Sequence, residues 1–284
     1  MERIAAVTDT GSNLSFAQAK ELGIYLLPLQ ITIDETTYQD TLEISTQDIY
    51  NELANGKMPK TSMAAYQKIY DLFEELKKDY DTIFAVPLTN GLSTNASTMQ
   101  SIARELEMNV HVIDMYATCA LEKHVAIWIK RLVDEHKSSE EILKIIQPAI
   151  DESNSLILVK NLQHLKRGGR LTPMAAALAG LLKIYPVLHI NKSTEGRIDV
   201  LNKVRTEKRA DAYAIDKIMD DIDIQHTHIY IIHSNFLEGA DHFKKCFIEK
   251  GVPEQNIHID YISSVIAVHT GLGCIAIQYI REEN

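Results

Sequence analysis

The stretch Leu165-Lys166-Arg167-Gly168-Gly169-Arg170-Leu171-Thr172-Pro173 places three cations and two glycines directly before an apolar run from Met174 to Leu182. Adjacent glycines let a backbone take positive φ, so the turn can bend tightly and expose its amides. Pro173 suits the first turn of a helix, with Thr172 as its N-cap. A small-residue helix that opens beside exposed arginines suits a ligand that is anionic at one end and apolar at the other. A basic surface turn leading into a core helix accounts for the same residues, so the choice rests on the rest of the chain.

Polar clusters recur where strands should end: Thr8-Asp9-Thr10-Gly11-Ser12, Thr89-Asn90-Gly91-Leu92-Ser93-Thr94 and Asp114-Met115-Tyr116-Ala117-Thr118. In an open α/β sheet the carboxyl ends of the strands form the ligand crevice. Thr61-Ser62 precedes a helical pattern and is placed to cap it. Hydroxyls beside free amides at helix starts make a neutral anion-binding surface. Ordinary N-caps and Asx-turns use the same residues, each stabilising a helix by about 1 kcal/mol. His269, in the glycine-rich segment His269-Thr270-Gly271-Leu272-Gly273-Cys274, has ring nitrogens suited to hydrogen-bonding an anion. The Gly271-x-Gly273-x-x-Ala276 spelling is no dinucleotide fingerprint, because too little chain follows to build the βαβ unit. No G-x-x-x-x-G-K-[ST] loop and no G-x-S-x-G elbow occurs. His226 and His228 lack a third ligand at diagnostic spacing, so no metal site is expected.

The elements that must position these residues alternate. Strands are expected over 4–8, 25–33, 82–88 and 110–115. Helices are expected over 16–22, from Ser45 to about Leu53, and after Ser62 with Tyr66, Ile69, Tyr70, Phe73 and Leu76 on one face. Further helices carry Met99, Ile102, Ala103 and Leu106, then Leu121, Val125, Trp128 and Leu132, then Ile142, Ile145 and Ile146. This order predicts a largely parallel sheet covered by helices on both faces. From about Asn154 the pattern changes. A strand over 156–159 leads to the glycine turn, and 185–190 with 198–204 reads as a β-hairpin. A helix over 208–219, a strand over 228–233, a helix over 237–250 and strands over 257–262 and 274–280 follow. The expectation is two α/β domains, 1–154 with a largely parallel sheet and 155–284 with a mixed sheet, and a ligand between them.

Composition narrows the function. The chain has 284 residues, enough for two ordinary cores, with 45% hydrophobic and 24% charged residues. A net charge of −10 argues against a nucleic-acid binder and against adsorption to an anionic membrane. Cys119, Cys246 and Cys274 are far apart, which suggests neither a disulfide framework nor zinc. The start of the chain has no signal-peptide h-region, and the run near 174–190 is too short and broken to span a bilayer. A cytoplasmic location without membrane insertion is the expectation.

Thr8-Asp9-Thr10, Thr61-Ser62, Gly91-Leu92-Ser93, Val112-Ile113-Asp114, Leu165-Lys166-Arg167-Gly168-Gly169-Arg170, Val204-Arg205-Thr206 and His269-Thr270-Gly271-x-Gly273 occur in order and spacing similar to the DegV family, over essentially the whole chain. The resemblance implies a fatty-acid-binding protein of two α/β domains. It needs no cofactor and catalyses nothing itself. It delivers a long-chain fatty acid to a separate fatty-acid kinase, which makes an acyl phosphate for phospholipid synthesis. By the same resemblance Ser93, Thr61 and His269 hold the carboxylate, with Ser62 and Thr270 beside them. Arg170 meets the kinase or the phosphate, and Arg205 and Thr206 lie near the same opening. The protein is expected to act as a monomer. From the residues alone two other readings stay open: an enzyme using His269 as general base on a small acyl or phosphorylated substrate, and a carrier of another amphipathic anion.

The sequence also departs from the family pattern. Met63-Ala64 follow Thr61-Ser62 where Gln-Pro is usual, and Thr94-Asn95-Ala96 follow Ser93 in place of a glycine and an aromatic. Met115 stands for a serine, and Cys119, Leu121 and Lys123 replace a serine and two glycines. The larger residues are expected to bear on the shape of the acyl tunnel and on chain-length preference.

Overall fold

The computed structural model describes residues 2–181 and 184–282. The first half of the chain supplies strands β1 (Ile4–Asp9), β2 (Tyr25–Leu27), β3 (Gln30–Ile33), β4 (Thr36–Gln39), β5 (Lys60–Ser62), β6 (Thr82–Val86) and β7 (Asn109–Val112). The second supplies β8 (Asn154–Leu158), β9 (Tyr185–Ile190), β10 (Asp199–Val204), β11 (Thr227–His233), β12 (Ile257–Tyr261) and β13 (Ile275–Arg281).

The β2-β1-β6-β7 sheet is parallel throughout. β1 and β6 are buried along their whole length, as central strands covered on both faces must be. Alternation assigns the faces. Ala5, Val7, Ile83 and Ala85 pack under helices Tyr66–Leu76 and Asn95–Glu105, whereas Ile4, Ala6, Phe84 and Val86 pack under Ala120–Asp134 and Ser139–Glu152. Three helices in this half start with reciprocal capping boxes, Ser15 with Gln18, Ser45 with Asp48 and Ser138 with Glu141.

The second sheet has the order β10-β9-β8-β13-β11-β12 and is mixed: only β11 and β12 pair parallel. One face, with Leu156, Val187, Ile231 and Ile277, packs against helices Glu207–Asp221 and Leu237–Glu249. The other, with Ile157, Leu188, Ile190, Ile232 and Ala276, belongs to an apolar cluster that also takes in Tyr50, Cys119 and Ala120 from the first half. The two halves of the chain therefore share this core, and the site lies at its edge.

Several local expectations need correction. The single strand over 25–33 is two strands in different sheets. Pro28, with no N–H to give a ladder, ends β2. β3 then joins the antiparallel sheet β4-β3-β5, which alternation alone did not separate. Thr61 and Ser62 lie in β5 and do not cap the following helix, whose N-cap position is Ala65 with no side-chain bond. Lys166 and Arg167 end a short helix, Leu162–Arg167, and only Gly169 of the glycine pair has positive φ (72°). Thr172 does cap the next helix, Pro173–Leu178, accepting the Ala175 N–H. Leu182 and Lys183 lie outside the described residues. His269 is in the last turn of a helix, Ser264–Thr270, that the sequence pattern did not reveal.

Candidate functional site

The order β2-β1-β6-β7 reverses between β1 and β6, and loops leaving the carboxyl ends of such strands diverge to form a crevice. The loop after β6 carries Ser93. Its anchor is Asp9 at the end of β1, whose Oδ2 accepts the Leu88 N–H at 2.9 Å and the Asn95 Nδ2–H at 2.6 Å. Asn90 N–H donates to Asp114 Oδ2 at 3.1 Å, and Ser93 Oγ accepts the Asn95 N–H at 3.2 Å. The Thr8–Ser12 cluster is thus consumed internally: Gly11 N–H donates to Asp9 Oδ1, Ser12 Oγ–H to the Asp9 carbonyl, and Thr10 Oγ1 accepts the Leu29 N–H. All but Gly11 among these are fully buried polar residues that brace the loop from behind.

His269 reaches the same place from the second half of the chain. Helix Ser264–Thr270 puts Val265 and Val268 into the core around Ile31 and Leu88 and Ala267 into the shared core. Its first turn is tied to the N-terminal half through Ser264 Oγ–H donating to Asp40. The preceding Ile262 carbonyl accepts from Tyr50 Oη at 2.6 Å. Gly271, at φ 76°, ends the helix and donates its N–H to Ala267 O at 2.8 Å. This arrangement brings His269 Nε2 within 2.7 Å of Thr61 Oγ1 on β5. Burial pushes the His269 basicity down to about 3, with Arg170 and His164 adding repulsion, so the ring is neutral at ordinary pH.

The result is a cleft of about 410 Å³, within the usual range for small-molecule sites. Thr61, Ser62, Ser93, Arg170, His269 and Thr270 all line it, together with Met63, Thr94 and the apolar Leu29, Leu88, Leu92, Ile198, Val265 and Ile266. Arg170 is partly exposed, and its Nη1 donates to the Gly168 carbonyl at 2.6 Å. Thr270 is buried and donates to the Ile266 carbonyl at 3.3 Å. Ser62 Oγ–H donates to Gln30 Oε1 at 3.1 Å. Adjoining the cleft is a small cavity of about 30 Å³ walled by Ile157, Ile190, Ile198, Ile232, Ile262 and Ile266, with Thr118, Ser155 and Gln278 among its other lining residues. Leu92, Ile198, Ile266 and Thr270 line both spaces and form the neck between them.

Arg205 and Thr206 do not join this group. Both are exposed, and Thr206 caps helix Glu207–Asp221 by accepting the Arg209 N–H. The departures divide likewise. Met63 lies at the cleft, where its Sδ accepts from Thr94 Oγ1 and Thr98 Oγ1, each at 3.4 Å. Met115 and Leu121 are fully buried under the parallel sheet, and Lys123 pairs with Asp260. A larger cleft of about 490 Å³ opens on the opposite face of the mixed sheet and contains none of the candidate residues. There Lys160 pairs with Glu207 and stands 4.8 Å above the Phe236 ring. Among the described residues no group of three or more His, Cys, Asp or Glu side chains is arranged to hold a metal ion, and no helix is long and apolar enough to cross a membrane. His226 bonds Asp223, and His228 bonds His258.

A parallel and a mixed sheet beside a cleft lined by both polar and apolar side chains make this an α/β protein with a candidate amphipathic site. The chain belongs to the DegV family: the family model described as "Uncharacterised protein, DegV family" matches residues 3–282. A DegV domain-containing protein of Halalkalibacterium halodurans is 30% identical over 289 residues, covering all of both chains. Among solved structures, a fatty acid binding DegV family protein from Streptococcus agalactiae superimposes with a TM-score of 0.91 at 29% identity, over 100% of both chains. DegV from Bacillus subtilis, described as a fatty acid binding protein, gives 0.87 at 26% identity, covering 99% of this chain and 100% of that one.

Proposed function

We propose that this chain binds a long-chain fatty acid and presents its carboxylate to a separate fatty-acid kinase, without catalysing a reaction itself. The carboxylate sits in the cleft mouth against Thr61, Ser93 and His269, with Ser62 and Thr270 beside it, and the tail runs through the neck into the isoleucine-walled cavity. The observation that carries this reading is the 2.7 Å hydrogen bond between Thr61 and His269 in a cleft that Ser93 also lines, directly in front of an apolar interior. The fatty-acid-binding relatives named above support it.

The chemistry is consistent. With Nε2–H given to Thr61, the neutral imidazole orients that hydroxyl, and the Thr61 and Ser93 hydroxyls donate charge-assisted hydrogen bonds to a carboxylate without a buried counter-charge. Hydrogen bonds to the ionised form keep its pKa low, so it remains a nucleophile for phosphoryl transfer. Burial of a long tail contributes about 0.8 kcal/mol per CH₂, over 10 kcal/mol gross, from which ordering and association subtract several kcal/mol. Arg170 stands at the mouth, where a kinase or an acyl phosphate would meet it. A general-base role for His269 fits poorly, because a ring with basicity near 3 is far from a working range around neutrality. The reading treats 1–154 and 155–284 as two units of a cytoplasmic monomer.

Native mass spectrometry of protein purified from bacteria, followed by lipid extraction, tests it. A stoichiometric fatty acid that is lost in Ser93→Ala and His269→Ala supports the site. A wild-type protein of bare polypeptide mass that also refuses added fatty acids rules the reading out.

A further inference from the structure

Gln278 is 1% exposed on β13, on the face turned toward the N-terminal half. Its Oε1 accepts the Ala120 N–H at 3.1 Å, and its Nε2 donates to the Thr118 carbonyl at 2.9 Å and to Ser155 Oγ at 3.0 Å. One amide therefore ties β13 to β8 and to the segment entering helix Ala120–Asp134. Residues two apart on β13 share its face. Ala276, on one side, belongs to the apolar cluster around the small cavity. Ile280, on the other, belongs to the cluster beneath the parallel sheet. Gln278 stands between these two cores and is part of the cavity's lining.

We infer that Gln278 is the floor of the acyl tunnel and sets the longest tail this protein accepts; the inference rests on the fatty-acid reading above. An apolar side chain at that position would change rotamer to admit another methylene. The amide resists, because moving it strands an N–H, a carbonyl and a hydroxyl that water cannot reach. The wall isoleucines lack such anchors and adjust to the tail. Selection by length is then sharp at the floor.

The test is a ladder of straight-chain saturated fatty acids, from decanoate to arachidate, titrated into lipid-stripped wild-type protein and Gln278→Ala. Wild-type affinity is expected to climb with length and then fall about tenfold within two carbons, the discrimination a closed apolar pocket gives an extra methylene. In Gln278→Ala the fall moves to acids at least two carbons longer. A second measurement needs no variant: palmitate with a photoreactive diazirine at its tail end is cross-linked to wild-type protein. Its label is expected on peptides containing Thr118, Ser155 or Gln278. An unmoved cut-off in folded Gln278→Ala, or a label confined to other peptides, overturns the floor while fatty-acid binding stands. Uptake of no fatty acid by the wild type overturns both.

Discussion

Gly168 lies against the edge of the His269 ring: a methyl group on its Cα would sit 2.8 Å from Nδ1 and 3.2 Å from the histidine Cβ. At φ −63° its backbone suits any residue, so the glycine answers to the ring and not to the turn. Gly168→Ala must push His269 away from Thr61 or shift helix Leu162–Arg167. Overpacking of this kind costs about 1–3 kcal/mol. Fatty-acid affinity is expected to drop by about two- to tenfold if half of that cost falls on the bound geometry. Thermal unfolding with a fatty-acid titration reads both, and undiminished binding would remove His269 from the proposed carboxylate site.

A second close approach holds the neck. A Cβ on Gly91 would lie 2.1 Å from the Gly196 carbonyl oxygen, and one on Gly196 would lie 2.0 Å from Thr89 Oγ1. Gly196 also has φ 70°, which disfavours any side chain. The obstacle to a methyl on Gly91 is backbone, so no flexible tip can move aside. Gly91→Ala is expected to cost roughly 3 kcal/mol, the upper end for overpacking, and to lower Tm by about 6 °C or more. A variant that melts with the wild type would mean that the 89–92 and 191–197 loops separate freely.

Much of this was legible in the residues. Ile69, Phe73 and Leu76 at helical spacing, the Ser45 cap and the buried run Ile4–Thr8 each led to the observed element, because burial and capping act locally. The glycines around the site point to contacts, but which contacts is decided by distant chain: Gly168 is set by a ring 101 positions further along. The helix bearing His269 has only seven residues and is held by Asp40 and two cores, so no local period announces it. Thr8 to Ser12 looked like a ligand surface because hydroxyls and Asp serve caps, turns and binding alike. Their burial separates these uses. Gln278 gives no sign of its role in the sequence, since one amide among apolar neighbours is defined only by partners that the fold brings to it.

Arg170 shapes the site through charge as well as position. Its guanidinium is the second cause, after burial, of the low basicity of His269. Arg170→Gln removes that repulsion, so the His269 pKa is expected to rise while staying below the ordinary histidine value because burial remains. Fatty-acid affinity should change by less than about threefold, the scale of an exposed charge, while phosphorylation of the bound acid by the proposed kinase partner should fall. NMR titration of the His269 ring checks the first statement, and an unmoved pKa would place the cation farther from the ring than the structure has it.

Behind the Ser93 loop, Asp9 and Glu122 form a buried carboxyl pair. Asp9 accepts from Leu88 N–H, Gly11 N–H and Asn95 Nδ2–H. Glu122 has only Thr8 Oγ1 at 3.2 Å and Asp9 as partners among the described residues. Burial and the Asp9 charge raise the Glu122 pKa well above the glutamate range, so its carboxyl keeps a proton and donates it to Asp9. The native state then holds a proton that the unfolded chain releases above pH of about 4.5. Stability from this group is complete below that pH and declines as pH rises toward the folded pKa, by at most about 1.4 kcal/mol per unit. In Glu122→Gln an amide N–H replaces the carboxyl proton and nothing titrates. The variant should match the wild type near pH 5 and exceed it by about 1 kcal/mol or more near pH 8, a Tm rise of roughly 2–4 °C. Unfolding curves at the two pH values decide it. A variant equally destabilised at both would mean that Glu122 is ionised in the folded protein.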